Sequence, residues 1–172
     1  VARDKINGIM KNVRSAEPDY VIALLHWGSE YNDEYSGTQE EIRELMFAGG
    51  VDAIVGTHSH RVQAVEFDRE AGTFTAYSLG DFFGDAQRAG SEYSVVLDLE
   101  ITKNNETGEA SVTGYTYTPL FSVVEEGKPT RVVRIHEAIA AYEAKHMNSV
   151  SADTYKRMLY ALQRIEARVA GK

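Results

Sequence analysis

Three features of the 172-residue chain predict an α/β fold with mixed α and β organisation. Apolar, amphipathic and apolar segments follow one another between Tyr20 and Val55, a strand–helix–strand pattern with histidine after each strand. Beyond His60 the apolar residues alternate at a period of two, and from His136 they return to helical spacing.

Each element has its own signal. Ile6, Ile9, Met10 and Val13 recur at helical spacing until Glu17-Pro18-Asp19 stops the helix. Tyr20 to Leu25 is a continuous apolar run, the pattern of a strand covered on both faces. After the polar loop Ser29 to Gly37, Thr38 and Glu41 have the spacing of a capping box. Ile42, Leu45 and Met46 then form one face of a helix that stops at Gly49-Gly50. Val51 to Val55 is a second buried strand, and the short links make the unit a crossover with two parallel strands.

The alternating region divides into hairpins. Val62 to Phe67 and Phe74 to Leu79 flank a polar link, and the segment from Leu79 to Ser91 interrupts the strands. Val95 to Ile101 and Ala110 to Thr118 flank a second turn, with shorter strands at Pro119 to Val124 and Arg131 to Ile135. Helices are expected at His136 to Lys145 and Ser151 to Val169. The second presents Tyr155, Met158, Leu159, Leu162, Ile165 and Val169 on one face.

Composition narrows the function. Eighteen Lys and Arg against 26 Asp and Glu leave a net charge of −8, a poor match to a phosphate backbone, so no nucleic-acid partner is expected. With no cysteine, any metal must use histidine or oxygen ligands. No apolar run reaches the ~18 residues of a membrane span. The chain begins at Val1 rather than Met, which predicts a start within a gene or after processing.

The chemistry concentrates in His26, His58 and His60, which follow two strands predicted to be adjacent. Open α/β sheets bind ligands at such ends. Neutral imidazole suits Zn, Mn and Fe alike. His58 and His60 diverge on an extended chain but reach one centre on a tight turn, which Gly56 would permit. Their grouping favours metal ligation over isolated loop histidines, whereas His136 and His146 have no partner at useful spacing. Glu30 can act as ligand, general base, partner to an imidazole or plain loop charge, and Asp81 can stabilise a turn. Serine-nucleophile and phosphate-loop motifs are absent from the sequence.

Three segments together resemble the bacterial capsule-synthesis CapA family: His26-Trp27-Gly28-Ser29-Glu30-Tyr31, Gly56-Thr57-His58-Ser59-His60 with Gln63, and Tyr77-Ser78-Leu79-Gly80-Asp81-Phe82. Members of this family are associated with poly-gamma-glutamate capsule formation. The family resembles the calcineurin-like metallophosphoesterases, a sandwich of two mixed β-sheets flanked by helices with a binuclear metal site at strand ends. The resemblance implies that residues 1–135 are the C-terminal part of such a domain, with 136–172 a helical segment beyond it. It implies His26, His58 and His60 as ligands to divalent ions (Mn, Zn or Fe), two in the intact protein. Trp27, Gly28, Tyr31, Gln63, Ser78 and Asp81 would line or support the site, and Glu30 is the candidate catalytic residue. The family usually carries Asn at the position of Asp81.

The aspartate-rich ligands of a binuclear site would precede His26, and the 25 residues before it hold no such set. The chain is therefore expected to be half of a sandwich, inactive alone, whose partner is the missing N-terminal half. An anionic polymer or phosphoester is the expected substrate. Membrane-bound capsule synthesis proteins are further expected partners, and the expected location is the cell surface, with an anchor outside this chain. The competing expectation is a non-catalytic surface scaffold that holds polymer.

Overall fold

Residues 3–83, 88–147 and 149–169 are described in the computed structural model. The earliest element, α1 (Arg3–Arg14), buries Met10 and half-buries Ile6 and Val13, while Ile9 turns to solvent. β1 (Ile22–His26), α2 (Gly37–Ala48) and β2 (Ala53–Thr57) form the expected parallel crossover, with Leu24 opposite Val55 and His26 opposite Thr57. The cap of α2 lies two residues earlier than expected. Ser36 and Gln39 form the capping box, a pairing that satisfies the same backbone donors as Thr38 and Glu41 would have.

β3 (Val65–Asp68) and β4 (Thr73–Ala76) are the first hairpin, and β4 also runs parallel to β2. The first sheet thus has the order β1-β2-β4-β3. β5 (Tyr93–Lys103), β6 (Ala110–Val123) and β7 (Arg131–Arg134) form a second, antiparallel sheet in that order. β6 continues through Pro119 instead of dividing there. β7 pairs only with Leu120 to Val123, so the ring sits where no second neighbour needs its missing N–H. Of the interruption expected from Leu79 to Ser91, residues 84–87 lie outside the described residues. So do 148 and 170–172 of the C-terminal segment.

Two apolar clusters organise the layers. Met10, Val51, Ile54, Trp27 and Tyr77 pack with Ile42, Met46 and Phe47 between the first sheet and α1 and α2. The opposite face brings Ala53, Phe74 and Ala76 against Val95, Phe121 and Val123 of the second sheet. α3 (Ile135–Glu143) and α4 (Ala152–Val169) close that core with Ile135, Met158, Ala161, Ile165 and Val169. α4 buries Ala161 and leaves Leu159 partly in solvent, a small rotation of its expected face. This mixed α/β arrangement of two sheets and flanking helices is compatible with part of a metallophosphoesterase-like sandwich.

β1 departs from expectation. Ala23 and Leu25 turn toward the helices, but Ile22 and Leu24, on the side that faces between the sheets, are 44% and 78% exposed. The apolar run indicated cover on both faces. Among the described residues the second sheet covers β3 and β4 and leaves β1, the edge strand, open on that side.

Candidate functional site

Three neighbouring parallel strands end at one rim of the first sheet, and each supplies a polar side chain there. β1 ends at His26, β2 leads into His58 and His60, and the segment after β4 carries Asp81. The rings of His26 and His58 lie 4.3 Å apart, and those of His58 and His60 6.4 Å apart. A tight turn brings the last two to one side, as their spacing required. Its backbone has φ values of 109° at His58 and 57° at His60, conformations that side chains other than glycine's adopt at a cost of about 1–3 kcal/mol.

Gly56 serves a different purpose from the one expected. It lies within β2, and a Cβ there would meet the Tyr77 carbonyl oxygen at 2.1 Å and Trp27 Nε1 at 2.2 Å. Glycine lets the Trp27 indole cross the strand and donate to that carbonyl at 2.9 Å. Trp27 is buried, stacked on Tyr77, and supports the rim from below. Tyr77 in turn stacks on Tyr35 at 3.8 Å and accepts from Arg43 at 2.8 Å. Burial, then the nearby Glu66 carboxylate, raises the Tyr77 phenol above its usual pKa. It is a neutral structural group throughout the physiological range.

The ring nitrogens of two histidines are sorted by their neighbours. His26 Nδ1 lies 3.2 Å from Thr57 Oγ1, and His60 Nδ1 lies 2.9 and 3.0 Å from the two Asp81 oxygens. Asp81 is thus an imidazole partner rather than only a turn residue. With Nδ1 engaged, Nε2 of each ring is the nitrogen left for a ligand or proton transfer. Glu30, over half exposed, places Oε1 3.8 Å from His60 Nε2.

The loop carrying Glu30 lies over this turn. Tyr31, itself at φ 58°, donates its N–H to Ser59 O at 2.7 Å and stacks its ring on His60 at 5.0 Å. The Arg88 guanidinium covers Tyr31, 3.9 Å from its centroid. Gly28 makes the turn into the loop at φ 86°, close against the Gln39 side chain. Gln63 is fully buried and donates to the carbonyls of Asn32 and Glu34, both at 3.0 Å. Ser78 is also buried; its carbonyl accepts from Gln63 N and its hydroxyl from Gly80 N. Gln63, Ser78 and Trp27 are therefore supports beneath the rim, whereas Glu30, Tyr31, Asp81 and the three histidines form it.

Sequence reasoning did not single out Thr57, Asp33, Arg61, Arg88, Arg164 or Arg168. Arg164 and Arg168 are four residues apart on α4, beside buried Ile165, and that basic pair on a core-facing stripe was the available signal. A cavity of about 330 Å³ between α2 and the β3–β4 hairpin is lined by Arg43, Phe47, Glu66, Asp68, Thr73 and neighbours, and by none of the histidines.

The rim suits a divalent ion in donor chemistry, with imidazole Nε2 atoms whose Nδ1 atoms already have partners. It does not close a cage: among the described residues no three histidine or carboxylate side chains are placed to hold one ion.

The sequence comparisons cover this rim. The family model described as bacterial capsule synthesis protein PGA_cap matches residues 1–86, which include all three histidines and Asp81. The PGA biosynthesis protein CapA of Bacillus subtilis (strain 168) is 34% identical over 95 residues, 55% of this chain and 24% of the relative. The capsule biosynthesis protein CapA of Bacillus anthracis is 28% identical over 151 residues, 88% of this chain and 33% of the relative. The chain thus spans about a quarter to a third of the length of these curated relatives. With half its length matched, and the rim within that half, the chain belongs to the bacterial capsule synthesis protein family PGA_cap.

Proposed function

We propose that this chain contributes the histidine share of a divalent-metal site in a capsule synthesis protein of phosphoesterase type. The convergence of His26, His58 and His60 at two adjacent parallel strand ends, with two Nδ1 atoms already held, is the observation that carries this reading. His26, His58 and His60 would hold Mn, Zn or Fe through imidazole, and a second ion in the intact protein would rely on carboxylates outside the chain. Bound divalent ions supply an activated water and stabilise charge on a displaced oxygen. The chain's own residues orient the imidazoles through Asp81 and Thr57, and Glu30 is placed to accept a proton beside His60.

The substrate in this reading is a phosphoester or an anionic polymer such as the PGA in one relative's name. The open inner face of β1, with Leu24 in solvent, favours a further sheet segment of the intact protein packing there and completing the site. No described helix is long and apolar enough to cross a membrane; the cell-surface position proposed here is read with an anchor outside this chain or association with membrane-bound synthesis proteins.

Titration calorimetry with Mn²⁺ and Zn²⁺ on this chain and on the longer protein tests the reading. Weak binding to the chain and tight two-ion binding to the longer protein, lost in His58→Ala, is the expected result. No binding by either would overturn it. That outcome would support the second reading, a non-catalytic surface component that holds polymer.

A further inference from the structure

The C-terminal helix reaches the histidine rim through one carboxylate. Asp33, in the loop with Glu30 and Tyr31, lies within ion-pair distance of three guanidinium groups. Arg168 Nη2 is 2.8 Å and Arg164 Nη2 3.0 Å from Asp33 Oδ2, and Arg61 Nε is 3.9 Å from Oδ1. Arg168 also donates to the Val62 carbonyl at 3.0 Å, and its side chain is only 9% exposed. Two of the three cations come from α4, 131 and 135 positions along the chain from Asp33.

The loop backbone is held on both sides of this carboxylate. Gln63 grips the carbonyls on either side of Asp33, and Tyr31 N–H bonds Ser59 O. The Asp33 side chain is the loop's link to the helix, and the Tyr31 ring on His60 is its link to the rim. Asp33 lies two residues after Tyr31 and three after Glu30, so its tether to α4 bears on the part of the loop that sits over His60. Arg164 hydrogen-bonds Asp33 directly, while Arg168 is anchored by its bond to the Val62 carbonyl and holds its charge beside the same carboxylate as an ion pair.

We propose that Arg168 and Arg164 of α4 are positioning residues for the histidine rim, acting through Asp33 to seat Tyr31 on His60. The inference deepens the metal-site reading, and its ring-geometry consequence stands independently of any metal.

The test uses this chain with Arg168→Ala, Arg168→Lys, Arg164→Ala and, as a control on α4, Lys156→Ala, an exposed charge. Imidazole ¹H–¹³C spectra, with His60 assigned by His60→Gln, report the ring-current shift that Tyr31 imposes on His60. Arg168→Ala should lose most of that shift, Arg168→Lys should restore part of it, and Lys156→Ala should leave it intact. Where Arg168→Ala fails to fold by circular dichroism, Arg164→Ala should reduce the shift by at least a third with the fold retained. Folded variants with an unchanged His60 signal would overturn the proposal. In parallel, Mn²⁺ affinity should fall about tenfold in Arg168→Ala. Absence of Mn²⁺ binding in the wild type would count against the metal reading alone, because the ring-current arm needs no metal.

Discussion

Asp81 presents both carboxylate oxygens to Nδ1 of His60, at 2.9 and 3.0 Å. An imidazole so held keeps one tautomer and one orientation, with Nε2 directed away from Asp81. Asp81→Ala should lower divalent-metal affinity of the longer protein by roughly 10- to 100-fold, and Asp81→Asn by less, because the amide oxygen still accepts from Nδ1–H. Calorimetry with Mn²⁺ checks the order. Equal affinities in all three proteins would remove Asp81 from the site.

Gly56→Ala should be among the most damaging single-methyl additions in the chain. The new Cβ would lie 2.1 Å from a backbone carbonyl and 2.2 Å from the indole nitrogen bonded to it. Overpacking of this kind costs about 1–3 kcal/mol, and displacing the buried Trp27 hydrogen bond adds about 1–3 kcal/mol for an orphaned carbonyl. Urea unfolding should show the loss. Trp27→Phe should show the hydrogen-bond part together with the loss of packing left by the smaller ring.

The parallel crossover, both hairpins and the grouping of the three histidines were legible because each rests on local pattern: apolar period, turn residues, and histidine placed after a strand. Glu30, Tyr31 and Asp81 were legible as neighbours by their motifs, but the specific partner of each was not. The exposure of Leu24 was hidden, since an apolar run states what a strand can bury and not whether a second layer reaches it. Asp33 with Arg164 and Arg168 was hidden for another reason. Arg164 and Arg168 stand out at helical spacing, but nothing local ties them to a loop aspartate more than 130 positions away, which is ordinarily solvated.

Leu24→Ser should separate the chain from its larger protein. At 78% exposure the side chain contributes little here, so the variant chain should unfold within about 0.5 kcal/mol of the wild type. In the longer protein, if another segment covers β1, the same change should cost about 2–5 kcal/mol, the range for losing a buried leucine. Chemical denaturation of both pairs supplies the comparison. Equal small effects in both would leave the inner face of β1 open in the intact protein.

Glu125 gives a pH dependence with a definite sign. Its bond to Lys128, then the Ser151 N–H at 2.7 Å, hold its carboxyl down to about 2 from the usual 4.5. A depressed carboxylate adds stability above its unfolded pKa, and that stability is lost as pH falls from about 4.5 toward about 2. Ser151 also caps α4, accepting from Thr154 N at 3.1 Å. Glu125→Gln should therefore lower stability most above about pH 4.5, where the ionised carboxylate contributes fully, and the difference from wild type should shrink as pH falls toward about 2, which flattens the acid limb of a thermal-unfolding profile.

The pairing of Asp33 with Arg164 and Arg168 also sets an order of events during synthesis. Domains generally begin to fold from the N-terminal side as the chain emerges. The crossover carrying His26, His58 and His60 is complete by residue 60, yet the carboxylate beside it meets its two α4 partners only after Arg168 has left the ribosome. Until then the inner apolar surface of β3 and β4 also lacks Met158, Ile165 and Val169. A nascent chain stalled before α4 would display three histidines at an unlatched rim, above a core that the second sheet covers only in part.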